Sequence, residues 1–181
     1  MFEHVTILLS IIFALAMTHI LASATELVWE RHKVRFYGLH ALWMVNALLA
    51  LLGYWLTVWD LSAVKHWTGF AIVLQFLPAI VQYFACSLIS MRREGAEIMD
   101  MKAFYEKQRP AIFTAFSLTM VTAMIPNTAD GNYLGADVPL FLMLVATLIA
   151  GWAKPHWLQW TAGLFIFALE ALFLATYAAR P

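Results

Sequence analysis

Six long apolar runs, separated by short charged or turn-forming segments, dominate the pattern along the chain. They extend from Val5 to Val28, Phe36 to Trp59, Trp67 to Met91, Pro110 to Pro126, Val138 to Ala153 and Trp157 to Ala178. Their lengths sit near the roughly 17–25 residues that carry a helix across a bilayer. None contains Lys, Arg or Asp, as a hydrocarbon solvent demands. The pattern predicts an all-α, polytopic integral membrane protein whose six transmembrane helices form one domain over residues 1–181.

Residues at the edges of the runs predict where helices start and stop. Pro110 and Pro139 suit first helical turns, where the missing N–H has no partner to lose, and Asp137 suits a cap for the fifth helix. Asp130-Gly131-Asn132 reads as a turn, and Pro155 divides a tight final hairpin. Pro78 lies inside the third run, where it predicts a kink and a freed carbonyl. Ala22-Ser23-Ala24 resembles a signal-peptidase site, but Met1-Phe2-Glu3-His4 lacks a basic leader, so the first run is read as a retained helix. Residues 92–109 form the one long charged segment. Ile98, Met101, Phe104 and Tyr105 recur there among Glu94, Glu97, Asp100, Lys102, Glu106 and Lys107, predicting an amphipathic helix on the inner membrane face. This segment splits the chain into two three-span halves, which would insert with opposite topology.

Charge changes the picture by fixing an orientation. Loops one, three and five carry Arg31, Lys33, Arg35, Arg92, Arg93, Lys102, Lys107, Arg109 and Lys154, leaving only Lys65 and Arg180 on the other side. The positive-inside rule then places loops 29–35, 92–109 and 154–156 in the cytoplasm and both termini outside. Trp and Tyr gather near span ends at Trp29, Tyr37, Trp55, Trp59, Trp67, Trp152, Trp157, Trp160 and Tyr177, and Tyr37 and Trp43 read as interface aromatics.

Composition agrees and excludes several classes. The 181 residues are 63% hydrophobic and 12% charged, with mean hydropathy +0.76, against about 25% charged in a soluble domain. Eleven basic and eleven acidic residues cancel, which removes an electrostatic attraction to nucleic acid. A single cysteine, Cys86, excludes an internal disulfide, and there is no CxxCH or paired Cys/His spacing for covalent haem or structural zinc. No phosphate loop, HExxH or serine elbow is present, so the residues nominate no catalytic group.

Function must therefore lie in the few polar groups inside the apolar runs. Glu170 is the one carboxylate well inside a span, about 12 Å from its outer end at 1.5 Å per residue. An intramembrane carboxylate points to proton or cation handling. His19 lies about 21 Å from the outer end of the first span and can relay a proton; Ser23 and Glu26 share its face. The third span contributes Gln75, Gln82 and Cys86 in one small-and-polar stripe, and the sixth contributes Gln159, Gly163, Glu170 and Tyr177. Their depths form a ladder: Gln75 with Glu170, Gln82 with His19, then Cys86 with Glu26. Thr114, Ser117, Thr119 and Thr122 extend the set of wall hydroxyls. The expected function is movement of protons or small cations, with Glu170 the outer site, His19 the relay, Gln75 and Gln82 the wall and Glu26 the inner exit. No cofactor is required. An alternative reading makes His19 and His40 the axial pair of a b-type haem, or the aromatic spans a quinone site. Another makes the chain a non-catalytic subunit of a larger membrane complex or a homo-oligomer.

Three runs, Ala16-Met17-Thr18-His19-Ile20-Leu21, Arg35-Phe36-Tyr37-Gly38-Leu39-His40-Ala41-Leu42-Trp43 and Met101-Lys102-Ala103-Phe104-Tyr105-Glu106-Lys107-Gln108-Arg109, resemble a loosely defined group of small bacterial six-span inner-membrane proteins of unassigned activity. The resemblance covers mainly the first two spans and the central loop. It implies a multi-pass inner-membrane protein and assigns no functional residue.

Overall fold

The computed structural model describes residues 2–63, 68–92, 98–129 and 137–179. It is all-helical, with α1 Phe2–Trp29, α2 Gly38–Thr57, α3 Gly69–Ile89, α4 Met101–Ala129, α5 Asp137–Trp152 and α6 His156–Ala178. Two short strands, β1 Val34–Arg35 and β2 Met99–Asp100, sit in the loops before α2 and α4. Among the described residues four helices are long and apolar enough to cross a membrane: α1, α2 with the 3-10 turn after it, α3 and α6. Val138–Trp152 is a shorter apolar helix. The expected turn at Asp130-Gly131-Asn132 and the residues Lys65, Arg93, Glu94, Glu97 and Arg180 lie outside the described residues.

These helices are apolar on both faces, and burial distinguishes the faces. In α1, Val5, Leu9, Phe13, Ala16, Ile20 and Ser23 are buried at helical spacing, while Ile7, Leu8, Ile11 and Leu15 on the other side stay exposed. A helix hydrophobic all round is suited to a core on one side and lipid on the other. Packing follows the order α1, α3, α4, α5, α6, α2, closing a ring in which α2 also touches α1 and α3. Trp43 of α2 meets Phe113 of α4 edge-on, 4.6 Å between ring centroids. Trp43 is 1% exposed, so it belongs to the core and not to the interface belt. Proximity to a helix start suggested the belt; only the packing of α4 and α6 shows that the indole is covered.

The charged segment also differs from expectation. Residues 101–109 are the first turns of the 29-residue α4, not a separate helix on the membrane face. Pro110 accordingly lies inside α4 rather than at its start. Met101 and Tyr105 are buried, whereas Ile98 is 61% exposed. The helix begins where Asp100 Oδ1 accepts the N–H groups of Lys102 and Ala103, each at 3.0 Å. The Ala103 N–H, then the Lys102 N–H and nearby Arg35, hold the Asp100 carboxyl below its ordinary range. This cap forms within β2, which pairs in parallel with β1, Val34 opposite Met99 and Arg35 opposite Asp100. The parallel pairing ties the segment between α1 and α2 to the segment between α3 and α4.

Loops one, three and five meet at one end of the bundle. Tyr37 Oη lies 3.5 Å from His156 Nδ1. Arg109 Nε donates to the Ala150 carbonyl at 2.9 Å, and its terminal nitrogen reaches the Ala153 carbonyl. A guanidinium thus satisfies carbonyls that the end of α5 would otherwise leave without partners. Gln159 Nε2 shares the Ala153 carbonyl at 3.1 Å.

Candidate functional site: a buried polar seam around α2

One face of α2 carries His40, Trp43 and Asn46, three residues apart, so they stack along the helix. All three are buried. Asn46 Nδ2 donates to the Gly163 carbonyl of α6 at 2.9 Å. The absence of a side chain at Gly163 allows this approach, since a Cβ there would stand 2.9 Å from Leu42 Cδ2 and 3.4 Å from Trp43 Nε1. On the α3 side, Gln82 Nε2 lies 3.4 Å from the Ala47 carbonyl and 3.8 Å from Cys86 Sγ. His40 Nε2 donates to the Ile89 carbonyl at 2.8 Å, with Phe104 and Tyr105 beside the ring.

Helices α2 and α6 run side by side in the same direction. Gly38 faces Trp160 and Gly53 faces Phe173, while Tyr177 Oη donates to the Leu56 carbonyl at 3.0 Å. Glu170 therefore lies between the levels of Asn46 and Gly53, two turns beyond Gly163. It is 5% exposed.

Each of these side chains leaves a buried polar atom without a partner among the described residues. The atoms are His40 Nδ1, Trp43 Nε1, Asn46 Oδ1, Gln82 Oε1 and Glu170 Oε2. With Nε2–H donating to Ile89, the neutral His40 ring presents Nδ1 as an acceptor. Trp43 supplies an N–H; the amide and carboxyl oxygens accept. The seam is thus rich in acceptors and poor in donors. Buried polar groups are nearly always paired with protein or ordered water, so this seam calls for donors from outside the protein: water, a protonated species or a cation.

No family model, curated protein or solved structure matches this chain. Geometry alone carries the functional argument.

The structure gathers some of the expected residues and separates others. Glu170 and Gln82 both join the seam, one from α6 and one from α3. His19 does not. Its Nε2 lies 3.1 Å from Tyr83 Oη and its Nδ1 3.2 Å from Arg92, on the half-buried flank where α1 packs on α3. Ser23 on the same helix donates to the Met91 carbonyl at 2.9 Å. Glu26 lines a shallow surface recess with Ala22, Thr25, Trp29 and Glu30. Gln75 is half-buried, and its backbone carbonyl accepts from Tyr54 Oη at 2.8 Å. The hydroxyls of α4 are engaged elsewhere: Ser117 with Thr147 of α5 at 3.2 Å, Thr119 and Thr122 with carbonyls of their own helix. Thr114 is exposed.

His19 and His40 have separate partners, and the Nε2 of His40 is occupied by a carbonyl. Among the described residues no three His, Cys, Asp or Glu side chains gather to hold a metal ion. Two residues of the seam were missed. Asn46 is an asparagine in the middle of an apolar run, a signal visible in the sequence. Trp43 carries no such mark, because only packing tells a core indole from an interfacial one.

Proposed function

We propose that this chain is a six-span protein of the bacterial inner membrane, with both termini outside, that moves protons or small cations along the α2 seam. The nine basic residues on loops one, three and five support that orientation. The observation that carries the function is the set of four buried acceptors and one donor left without protein partners on α2, α3 and α6. Such groups are costly inside a membrane protein and mark ion or proton paths. Glu170 is the ionisable site toward the outer end. Asn46 and Gln82 line the middle, and His40 stands at the inner end beside the Ile89 carbonyl. Their neutral amides can hold a file of water that hands protons between the two titratable groups.

Proteoliposomes with an internal pH dye and a potassium-diffusion potential test this. Wild-type protein should collapse a pH gradient, and Glu170→Gln should reduce that rate at least tenfold. His19→Ala, outside the seam, should leave it unchanged. Equal flux in wild type and Glu170→Gln, or no flux in wild type, overturns the proposal.

A further inference from the structure

Helices α1 and α2 are consecutive, yet α1 packs chiefly on α3, and an open cleft of about 440 Å³ remains between α1 and α2 near the loop end. Its walls are almost wholly apolar: Ala24 and Val28 on α1, and Ala41, Val45 and Leu48 on α2, with Arg31 at the loop end. From the start of α2 to Leu48 the cleft extends about 16 Å at the helical rise. That is close to half of a bilayer's ~30 Å hydrocarbon thickness, the depth of one leaflet. The small side chains of Ala24 and Ala41 keep it open, and it faces sideways, where Val28 and Val45 are exposed.

Its single charge, Arg31, is the one basic residue that lines the cleft, and most of the other described basic residues at this end are engaged elsewhere. Lys33 pairs with Glu30, Arg35 with Asp100 and Lys102 with Glu106. Arg92 reaches His19, and Arg109 holds the end of α5. The Arg31 guanidinium makes no hydrogen bond or ion pair among the described residues; only its backbone carbonyl is engaged, by the Val34 N–H. We propose that this cleft binds one acyl chain of an anionic phospholipid, with Arg31 holding the headgroup phosphate. A leaflet-deep apolar slot ending in one uncompensated cation complements a lipid of that form. The inference rests on the membrane-spanning reading alone. The cleft includes none of His40, Trp43, Asn46, Gln82 or Glu170, so a chain without flux can still show the lipid preference.

Native mass spectrometry of the purified full chain, titrated with phosphatidylglycerol or phosphatidylcholine of equal chain length, tests it. A basic residue at an anionic surface supports about a fivefold preference for phosphatidylglycerol. Arg31→Gln should erase that preference without disturbing the fold, because the Arg31 side chain has no partner among the described residues. Ala41→Phe should reduce retention of both lipids by filling the cleft. Ala24→Phe fills it from the opposite wall and replaces that measurement should Ala41→Phe fail to fold. An unchanged preference in Arg31→Gln overturns the proposal. So does unchanged retention in the filled variant, or displacement of the lipid by soluble glycerol phosphate, which would show an anion site without an acyl groove.

Discussion

Replacing Glu170 by Leu should make the bundle more stable and the transport activity negligible. Glu170 is 5% exposed, and its Oε2 has no hydrogen-bond partner among the described residues. A buried polar atom left unsatisfied costs about 1–3 kcal/mol. Leucine is close in size and carries no polar atom to leave unpaired. Glu170→Leu should therefore gain about 1–3 kcal/mol, whereas Glu170→Gln, which keeps a polar oxygen in place, should shift stability by less than about 1 kcal/mol. Reversible unfolding in mixed micelles, titrated with a denaturing detergent and followed by circular dichroism, gives both differences. Flux measurements on the same preparations supply the other half. Gain of stability with loss of function is the signature of a polar group kept for its chemistry. A loss of 1 kcal/mol or more in Glu170→Leu would refute the reasoning, because the carboxyl would then be holding α6 in the bundle.

Further expectations follow from the same contacts. Arg109→Met removes two hydrogen bonds from a charged donor to the end of α5 and should cost about 2–4 kcal/mol. Arg109→Lys should recover about half of that in the same micelle titration. A Cβ on Gly151 would stand 2.8 Å from Phe113 Cβ, an atom fixed to the α4 backbone, whereas a Cβ on Gly53 meets only ordinary contacts at 3.5 Å. Gly151→Ala should accordingly lose about 1–3 kcal/mol, while Gly53→Ala should gain up to about 1 kcal/mol from helix propensity. The Asp100 carboxyl titrates lower in the folded chain than its unfolded value of about 3.9. Its contribution is complete above that value and is lost as pH falls through the lower folded value. Hydrogen exchange at the Lys102 and Ala103 amides should show protection falling away on acidification through that range, and Asp100→Asn should remove the pH dependence.

Much of this molecule was legible in the residue pattern. The apolar runs located the six helices, because a chain with so little charge has few places to end them, and isolated Glu170 and Gln82 as polar groups inside apolar runs. The division of basic residues grouped loops one, three and five, and the contacts between Tyr37 and His156 and between Arg109 and α5 bring those loops together. Other features were beyond a one-dimensional reading. In runs apolar on every side, period alone does not tell lipid-facing from buried positions. His19 and His40 look alike in sequence, yet one sits on a flank beside Arg92 and the other inside the bundle. Pro110 looked like a helix start because proline favours first turns, but Asp100 caps the helix earlier and packing of Met101 and Tyr105 carries it through.

What the sequence determined by itself was the apolar helices and the inventory of polar groups inside them, since each follows from local composition. Which of those groups share a space was decided only by the tertiary structure. That outcome depends on how closely helices approach, and at Gly163 the approach is set by a side chain that is absent. There Asn46 donates to the Gly163 carbonyl and ties α2 to α6, while Gln82 and the Ile89 carbonyl tie α3 to α2.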